Sequence, residues 1–204
     1  EVQLRKEQQK RQLLLLKQQE KRLAQKVVPL RQALQRRRNK FFQYLKIINR
    51  LMATHLQEGQ KAPAFTGKDQ NGNKISLSQY KGKKVALYFY PQDLTPTCTI
   101  QACNLRDNFA LLQRHGIAIV GVSPDDAAKH KRFEERNSLP FPLIADTNHN
   151  ILEKYGVWGE KQMFSHQYMG VYRTTFLIDE KGVIKKIFLK PKSKQHAEEI
   201  IESL

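Results

Sequence analysis

Two cysteines, Cys98 and Cys103, stand five positions apart in a chain of 204 residues. Cys98 closes the stretch Tyr88-Phe89-Tyr90-Pro91-Gln92-Asp93-Leu94-Thr95-Pro96-Thr97-Cys98. An apolar run ends at Pro91, a short loop follows, and Thr95-Pro96 opens a helix. Threonine is a good N-cap, and proline suits the first helical position. Cys98 is then the third helical residue. In that first turn the backbone N–H groups are unpaired and the helix dipole is positive. Both effects favour thiolate over thiol, and the thiolate is the reactive nucleophile. The bland alternative is a small buried hydrophobe, the usual fate of a lone cysteine. The strand–loop–helix placement is more specific than that alternative requires.

Cys103 shares the same helix. In an intact helix, five residues span roughly 500° of rotation and about 7.5 Å of rise. The two Cα atoms would then lie roughly 8.5 Å apart, with side chains pointing about 140° apart. A disulfide needs less than about 7 Å. If the pair bonds, the first turns of the helix must unwind, which couples a local order–disorder step to oxidation. A Cys-x-x-Cys dithiol closes without unwinding, so the five-residue spacing argues against a simple disulfide oxidoreductase. A core role for Cys103 with no redox chemistry stays open at this point. Two close cysteines are not the framework of a disulfide-stapled secreted domain; they suit redox or metal chemistry in a reducing compartment. His55, His115, His130, His149, His166 and His196 show no paired ligand spacing, so a closed metal site is not expected. No glycine-rich phosphate loop is present.

The elements that must position these groups form an alternating pattern from about residue 58 onward. Segments 75–77 and 85–90 read as strands. Residues 105–114 continue the cysteine helix to Gly116, a good C′ residue. Segment 117–122 reads as a buried strand. Ser123-Pro124-Asp125-Asp126 then reads as an N-cap followed by a helix to about 136. A strand at 142–145 and a short helix at 149–155 follow. Strands 175–178 and 183–189 flank the hairpin signal Asp179-Glu180-Lys181-Gly182, and 196–203 closes as a helix. This is an α/β pattern: a mixed central sheet flanked by helices. About 150 residues bury roughly 68–70% of their unfolded surface, enough to fold alone.

Residues 1–51 follow a different grammar. They contain no Gly, Ser, Thr, Asp or Cys, and hold 15 Lys/Arg against 3 Asp/Glu. The formal charge of the whole chain is +17, so most of it belongs to this extension. A heptad register runs through Leu13, Glu20, Val27, Leu34, Phe41 and Ile48, and through Leu16, Leu23, Leu30, Arg37, Tyr44 and Leu51. Pro29 interrupts it. The flanking Lys17, Lys26, Arg31, Arg38 and Lys40 would repel a second copy, so an acidic partner, nucleic acid or an anionic membrane surface fits better. The alternative is a solvated basic arm. The first methionine is Met52, directly before the change of pattern. That makes Met52 a candidate start, and 1–51 a candidate for sequence outside the native protein. No run approaches the 18 or so apolar residues of a membrane span, and the longest pure apolar run, Leu13 to Leu16, is too short for a signal peptide.

The motif Pro91-x-x-x-Thr95-x-x-Cys98 resembles the active-site motif of the peroxiredoxins. With Cys103 five residues on, the chain is similar to the peroxiredoxin Q group, also called bacterioferritin comigratory protein. The resemblance spans about 58–204. It includes Gly59-Gln60-Lys61-Ala62-Pro63-Ala64-Phe65, Tyr88-Phe89-Tyr90-Pro91, Gly121-Val122-Ser123-Pro124-Asp125, Tyr155-Gly156-Val157-Trp158-Gly159-Glu160-Lys161 and Thr175-Phe176-Leu177-Ile178-Asp179. It implies a thioredoxin-like fold. It implies that Cys98 is the peroxidatic cysteine, attacking a peroxide oxygen and becoming a sulfenic acid. Thr95 would hydrogen-bond the thiolate or peroxide, and Pro91 would shield the intermediate from water. Arg173 matches the pocket arginine, a fixed cation for the thiolate and for charge moving onto the leaving oxygen. Cys103 would be the resolving cysteine, forming an internal disulfide that thioredoxin reduces. The chain departs from many relatives at Thr97, where they carry glycine; relatives carry Glu or Gln at the position of Gln101. The extension has no counterpart in the family core.

The resemblance thus implies a cytoplasmic, monomeric, thioredoxin-dependent peroxidase. It would reduce hydrogen peroxide and organic hydroperoxides, with no metal, haem or flavin. Two alternatives accompany it: a one-cysteine peroxidase resolved by an external thiol, and a redox-sensing domain tethered by a basic nucleic-acid-binding arm.

Overall fold

The computed structural model of the protein describes residues 54–163 and 166–204, together with Gln35. The chain divides into two units, Glu1–Asn49 and Arg50–Leu204, and the second holds the sheet. The heptad and basic-arm expectations for 1–51 lie outside the described residues.

In chain order the elements are β1 (Thr66–Lys68), β2 (Lys74–Ser76), a 3-10 turn (Leu77–Tyr80) and β3 (Lys84–Phe89). Next come α1 (Pro96–Asp107), α2 (Phe109–Arg114), β4 (Ile117–Ser123), α3 (Ala127–Asn137), β5 (Leu143–Ala145) and α4 (Asn150–Lys154). The chain ends with β6 (Trp158–Met163), β7 (His166–Val171), β8 (Thr174–Ile178), β9 (Ile184–Phe188) and α5 (His196–Glu202). Five strands form the central sheet in the order β5-β4-β3-β8-β9. β3, β4 and β5 run parallel, whereas β8 lies antiparallel to β3 and β9 antiparallel to β8. β1–β2 and β6–β7 are separate antiparallel pairs.

β3 explains the layering. Its residues alternate between two faces, as a strand buried on both sides must. Val85, Leu87 and Phe89 join one core with Phe65, Ile151, Leu152 and Tyr155. Ala86, Tyr88 and Tyr90 join the other with Cys98, Ala102 and Leu105 of α1, Leu112 of α2, Phe133 of α3 and Ile200 of α5. Helices therefore cover both faces of a mixed sheet, as expected from the sequence. Parallel strands need crossovers: α1 and α2 bridge β3 to β4, and α3 bridges β4 to β5. Gly121 of β4 pairs with Tyr88. A Cβ there would sit 2.8 Å from the Tyr88 ring, so only glycine lets that tyrosine lie across the strand.

Two local expectations are corrected. The single helix expected to run to residue 114 is two, because Asn108 (φ −101, ψ 12) separates α1 from α2. Its side chain donates back to the Asn104 carbonyl (3.0 Å), a local bond that competes with continued helix. The expected N-cap at Ser123 is at Asp126, whose carboxylate accepts the Lys129 N–H (2.7 Å). Ser123 ends β4 instead, and its hydroxyl accepts the Asp125 N–H (3.1 Å). The β6–β7 hairpin had no sequence expectation at all. Its second strand, β7, is largely exposed and carries little of the alternation that betrays a strand. Among the described residues, no helix is long and apolar enough to cross a membrane.

Candidate active site

β3 delivers the chain to Tyr90, and Pro91 follows half-buried where the strand stops. The loop 91–95 turns through Leu94, a non-glycine residue at φ 61. Thr95 is the N-cap of α1 (φ −80, ψ 149), with Pro96 in the first turn, as the sequence leads one to expect. The Thr95 side chain, however, does not cap the helix; its hydroxyl donates to the Gln92 carbonyl (3.0 Å) and so braces the loop. Cys98 therefore occupies the first turn of α1, and it is buried, at 2% exposure. Both cysteines are free thiols, on one continuous helix.

Arg173 reaches this sulfur from the neighbouring strand. Phe89 pairs with Thr174, so the residue before β8 stands beside Tyr90, at the end of β3 where α1 begins. Arg173 donates from Nη2 to Cys98 Sγ at 3.1 Å. Its Nη1 donates to Gln101 Oε1 in a short contact. One guanidinium thus bridges two residues on one face of α1, three apart. The Gln101 amide nitrogen and the Tyr88 hydroxyl are buried nearby without hydrogen-bond partners among the described residues.

Two more basic groups respond to Arg173. Lys161, from β6, donates to the Val171 carbonyl (3.2 Å). Burial, and then the positive charge of Arg173, hold its ammonium below the usual lysine range, while Cys98 pulls the other way. His196 is fully buried and meets the Thr175 hydroxyl through Nε2 (2.9 Å). Burial, with a smaller contribution from Arg173, drops its pKa from 6.5 to about 3. Glu199 Oε2 lies 3.5 Å from His196 Nδ1, too far for a good hydrogen bond, and is already occupied by the Lys192 N–H (2.7 Å). His196 is thus neutral, and the cation at the sulfur is the arginine.

The loop is also held from below. Asp93 is buried and accepts from the Tyr90 hydroxyl (2.7 Å) and from His130 Nδ1 (2.6 Å). His130 Nε2 faces the Ile144 carbonyl (3.2 Å). The Asp93 N–H donates to Asp125 (2.6 Å). This network ties loop 91–95 to α3 and β5. Sequence reasoning missed Asp93, His130, Lys161 and any positioning role for Gln101. Asp93 and His130 are 37 residues apart, so no local spacing announces them. Cys103 stands half-buried further along the same helix, and its S–H donates to Asn137 Oδ1 (3.7 Å). Tyr155 is core, Trp158 stacks on His149 (ring centroids 3.9 Å apart), and Tyr168 is exposed.

The AhpC/TSA family profile matches residues 58–187. The chain is 44% identical over 149 residues to the peroxiredoxin Bcp of Bacillus subtilis, covering 73% of this chain and 95% of that one. Among solved structures it is similar to peroxidoxin BcpB of Mycobacterium tuberculosis (28% identity, TM-score 0.65, 73% of this chain and 96% of that one). It is likewise similar to the bacterioferritin comigratory protein of Xanthomonas campestris, which has been studied for alkyl peroxide reduction (26% identity, TM-score 0.67, 72% and 96%). With nearly the whole of each relative covered, and a cysteine in the first turn of α1 against an arginine, the chain belongs to the AhpC/TSA family as a Bcp-type peroxiredoxin, a thiol peroxidase acting on hydroperoxides.

Proposed function

We propose that the unit from about residue 58 to 204 performs a two-cysteine peroxidase cycle centred on Cys98. The single observation that carries this reading is the Arg173 guanidinium 3.1 Å from a buried sulfur in the first turn of a helix. The Cys98 thiolate attacks one oxygen of the hydroperoxide. An S–O bond forms, the O–O bond breaks, and the leaving oxygen departs as water or an alcohol after taking a proton. Arg173 stabilises the charge that moves from sulfur towards the leaving oxygen. Gln101 orients Arg173, and Thr95 and Pro91 keep the loop in place and limit access of water to the sulfenic acid.

Resolution follows through Cys103. Its sulfur attacks the Cys98 sulfenic acid, forming an S–S bond and releasing water. The helical spacing supports an unwinding step first, because a continuous α1 keeps the two sulfurs apart. A dithiol reductant of the thioredoxin type then returns both thiols by exchange. The alkyl peroxide activity of the Xanthomonas relative supports organic hydroperoxides as substrates beside hydrogen peroxide.

One equivalent of hydrogen peroxide, followed by counting of free thiols, tests this cycle. The wild type is expected to lose both thiols and gain an internal disulfide. Cys103→Ser should stop at a sulfenic acid trapped by dimedone, and Cys98→Ser should react slowly. Fast consumption of peroxide by Cys98→Ser would overturn the assignment. Full turnover by Cys103→Ser with thioredoxin would replace it by the one-cysteine route.

A further inference from the structure

The two halves of α1 are held very differently. Pro96, Thr97 and Ile100 are exposed. Among the described residues, the side chains of 96–100 make one hydrogen bond, from Arg173 to Cys98. The second half is fastened just past Cys103, towards both α5 and α3. Asn104 donates from Nδ2 to the Lys194 carbonyl (3.0 Å) and to Glu198 Oε2 (3.2 Å). Its Oδ1 accepts the Ala197 N–H (2.8 Å), so it also serves the start of α5. Leu105 is fully buried. Arg106 donates from Nη1 to the Asn137 carbonyl at the end of α3 (2.6 Å).

The surroundings of the Cys103 sulfur are equally fixed. Asn137 donates from Nδ2 to the Phe133 carbonyl of its own helix (2.9 Å), which leaves Oδ1 to face the thiol. The Arg106 guanidinium is steered by Asp107, at 2.9 Å from Nε and 2.7 Å from Nη2. Its proton is held more tightly than usual, first by Asp107 and, against partial burial, by the Cys103 sulfur beside it. The thiol thus has an acceptor for its S–H in Asn137, and the Arg106 cation is fixed on the carbonyl of that same residue.

We propose that Arg106 and Asn137 are positioning residues for the resolving step. They hold Cys103 as a fixed target while residues 96–100 unwind and carry Cys98 to it. The inference rests on the two-cysteine cycle and adds which sulfur moves and what holds the other. In the step itself the Cys103 sulfur, its charge steadied by Arg106, attacks the Cys98 sulfur. The S–S bond forms as the S–O bond breaks, and the departing hydroxide takes the thiol proton to leave as water.

The test separates the two chemical steps. Wild type, Arg106→Ala, Arg106→Lys and Asn137→Ser are mixed with one equivalent of hydrogen peroxide and quenched at intervals with dimedone. Sulfenic acid and disulfide are then read by mass. Loss of one charged contact corresponds to about a tenfold change in rate. Arg106→Ala should form sulfenic acid at the wild-type rate but close the disulfide about tenfold more slowly, and Arg106→Lys should recover part of that loss. Asn137→Ser should fall between them. A merely structural loss would slow both steps together, and that result, or disulfide closure at the wild-type rate in all three variants, would overturn the proposal. If Arg106→Ala does not fold, Arg106→Lys and Asn137→Ser carry the same comparison. Hydrogen exchange of the disulfide form should show protection lost at the amides of 99–104, whose carbonyl acceptors lie in 95–100, and kept at 105–107; loss across the whole helix also overturns it. Absence of any Cys98–Cys103 disulfide in the wild type would instead refute the underlying cycle, so the two failures are distinguishable.

Discussion

When a thiolate attacks a peroxide, negative charge passes from sulfur to the departing oxygen, so the group that matters most is one aimed at both positions. Arg173 is placed for this. One arm of its fork meets Cys98 Sγ and the other is fixed on Gln101. The fork, rather than charge alone, makes the geometry, because a lysine ammonium cannot hold both partners in one plane. Replacing Arg173 by methionine keeps the stem and removes the donors. By analogy with loss of one oxyanion donor, the rate of peroxide reduction should fall by about 100–1,000-fold. Arg173→Lys should recover only part of that rate. Stopped-flow consumption of peroxide under single-turnover conditions checks both, and a Lys variant as fast as wild type would show that charge suffices without the fork.

At the scale of elements, α1 depends on two others that carry no reacting atom. The loop before it is held through Asp93 by His130 of α3, and its far half leans on the first turn of α5. That turn begins with His196, buried against Thr175 of β8. Its pKa is about 3 in the fold and 6.5 as the ordinary value, with burial the main cause. The sign follows from proton counting. Below pH 6.5 the unfolded chain takes up a proton that the folded chain refuses, so folding stability is present above that value and is lost as pH falls towards 3. The limiting slope is about 1.4 kcal/mol per pH unit. Between pH 6.5 and 5 this amounts to roughly 2 kcal/mol from one residue. His196→Gln retains a donor for Thr175 but cannot charge. Urea unfolding at pH 7 and pH 5 should therefore show a smaller loss for the variant than for wild type. Equal losses would mean that His196 accepts its proton within the folded protein, through Glu199 or Glu198.

Across the whole molecule, what could be read from the sequence was what local chemistry writes. Thr95-Pro96 marks a helix start whether or not the rest of the chain is known, and it fixes Cys98 in the first turn. The β3 run and the Asp179–Gly182 turn are equally local. Arg173 was named through family resemblance, because nothing in its own neighbourhood says that β8 will lie antiparallel to β3 and bring it to Tyr90. Asp93, Arg106 and Asn137 carry no local signal, and His130 reads only as a histidine without ligand spacing, since each acquires its meaning from a partner about 30 or more residues away. The β6–β7 hairpin escaped notice because its side chains have little core to alternate against.

This division between local and distant determinants bears on what oxidation does to the fold. Forming the Cys98–Cys103 bond requires the first turns of α1 to leave the helix, and with them the buried Cys98 and its contact with Arg173. The new cross-link closes a short loop, and short loops constrain the unfolded chain least. The losses are a charged hydrogen bond, worth about 1.5–3 kcal/mol, and the native packing of the first turns beside it; together they exceed the roughly 2 kcal/mol that so short a loop gives by chain entropy. The disulfide form is therefore expected to melt below the reduced form, against the usual sense of a disulfide. For a domain of this size each kcal/mol shifts the midpoint by roughly 2–4 °C, so a drop of several degrees is expected. Calorimetry of the protein kept reduced, and of the same sample after one equivalent of peroxide, measures it at one pH. A disulfide form melting at or above the reduced form would mean that the bond closes without giving up the helix. Cys98 and Cys103 would then have to approach by a shift of α1 as a whole.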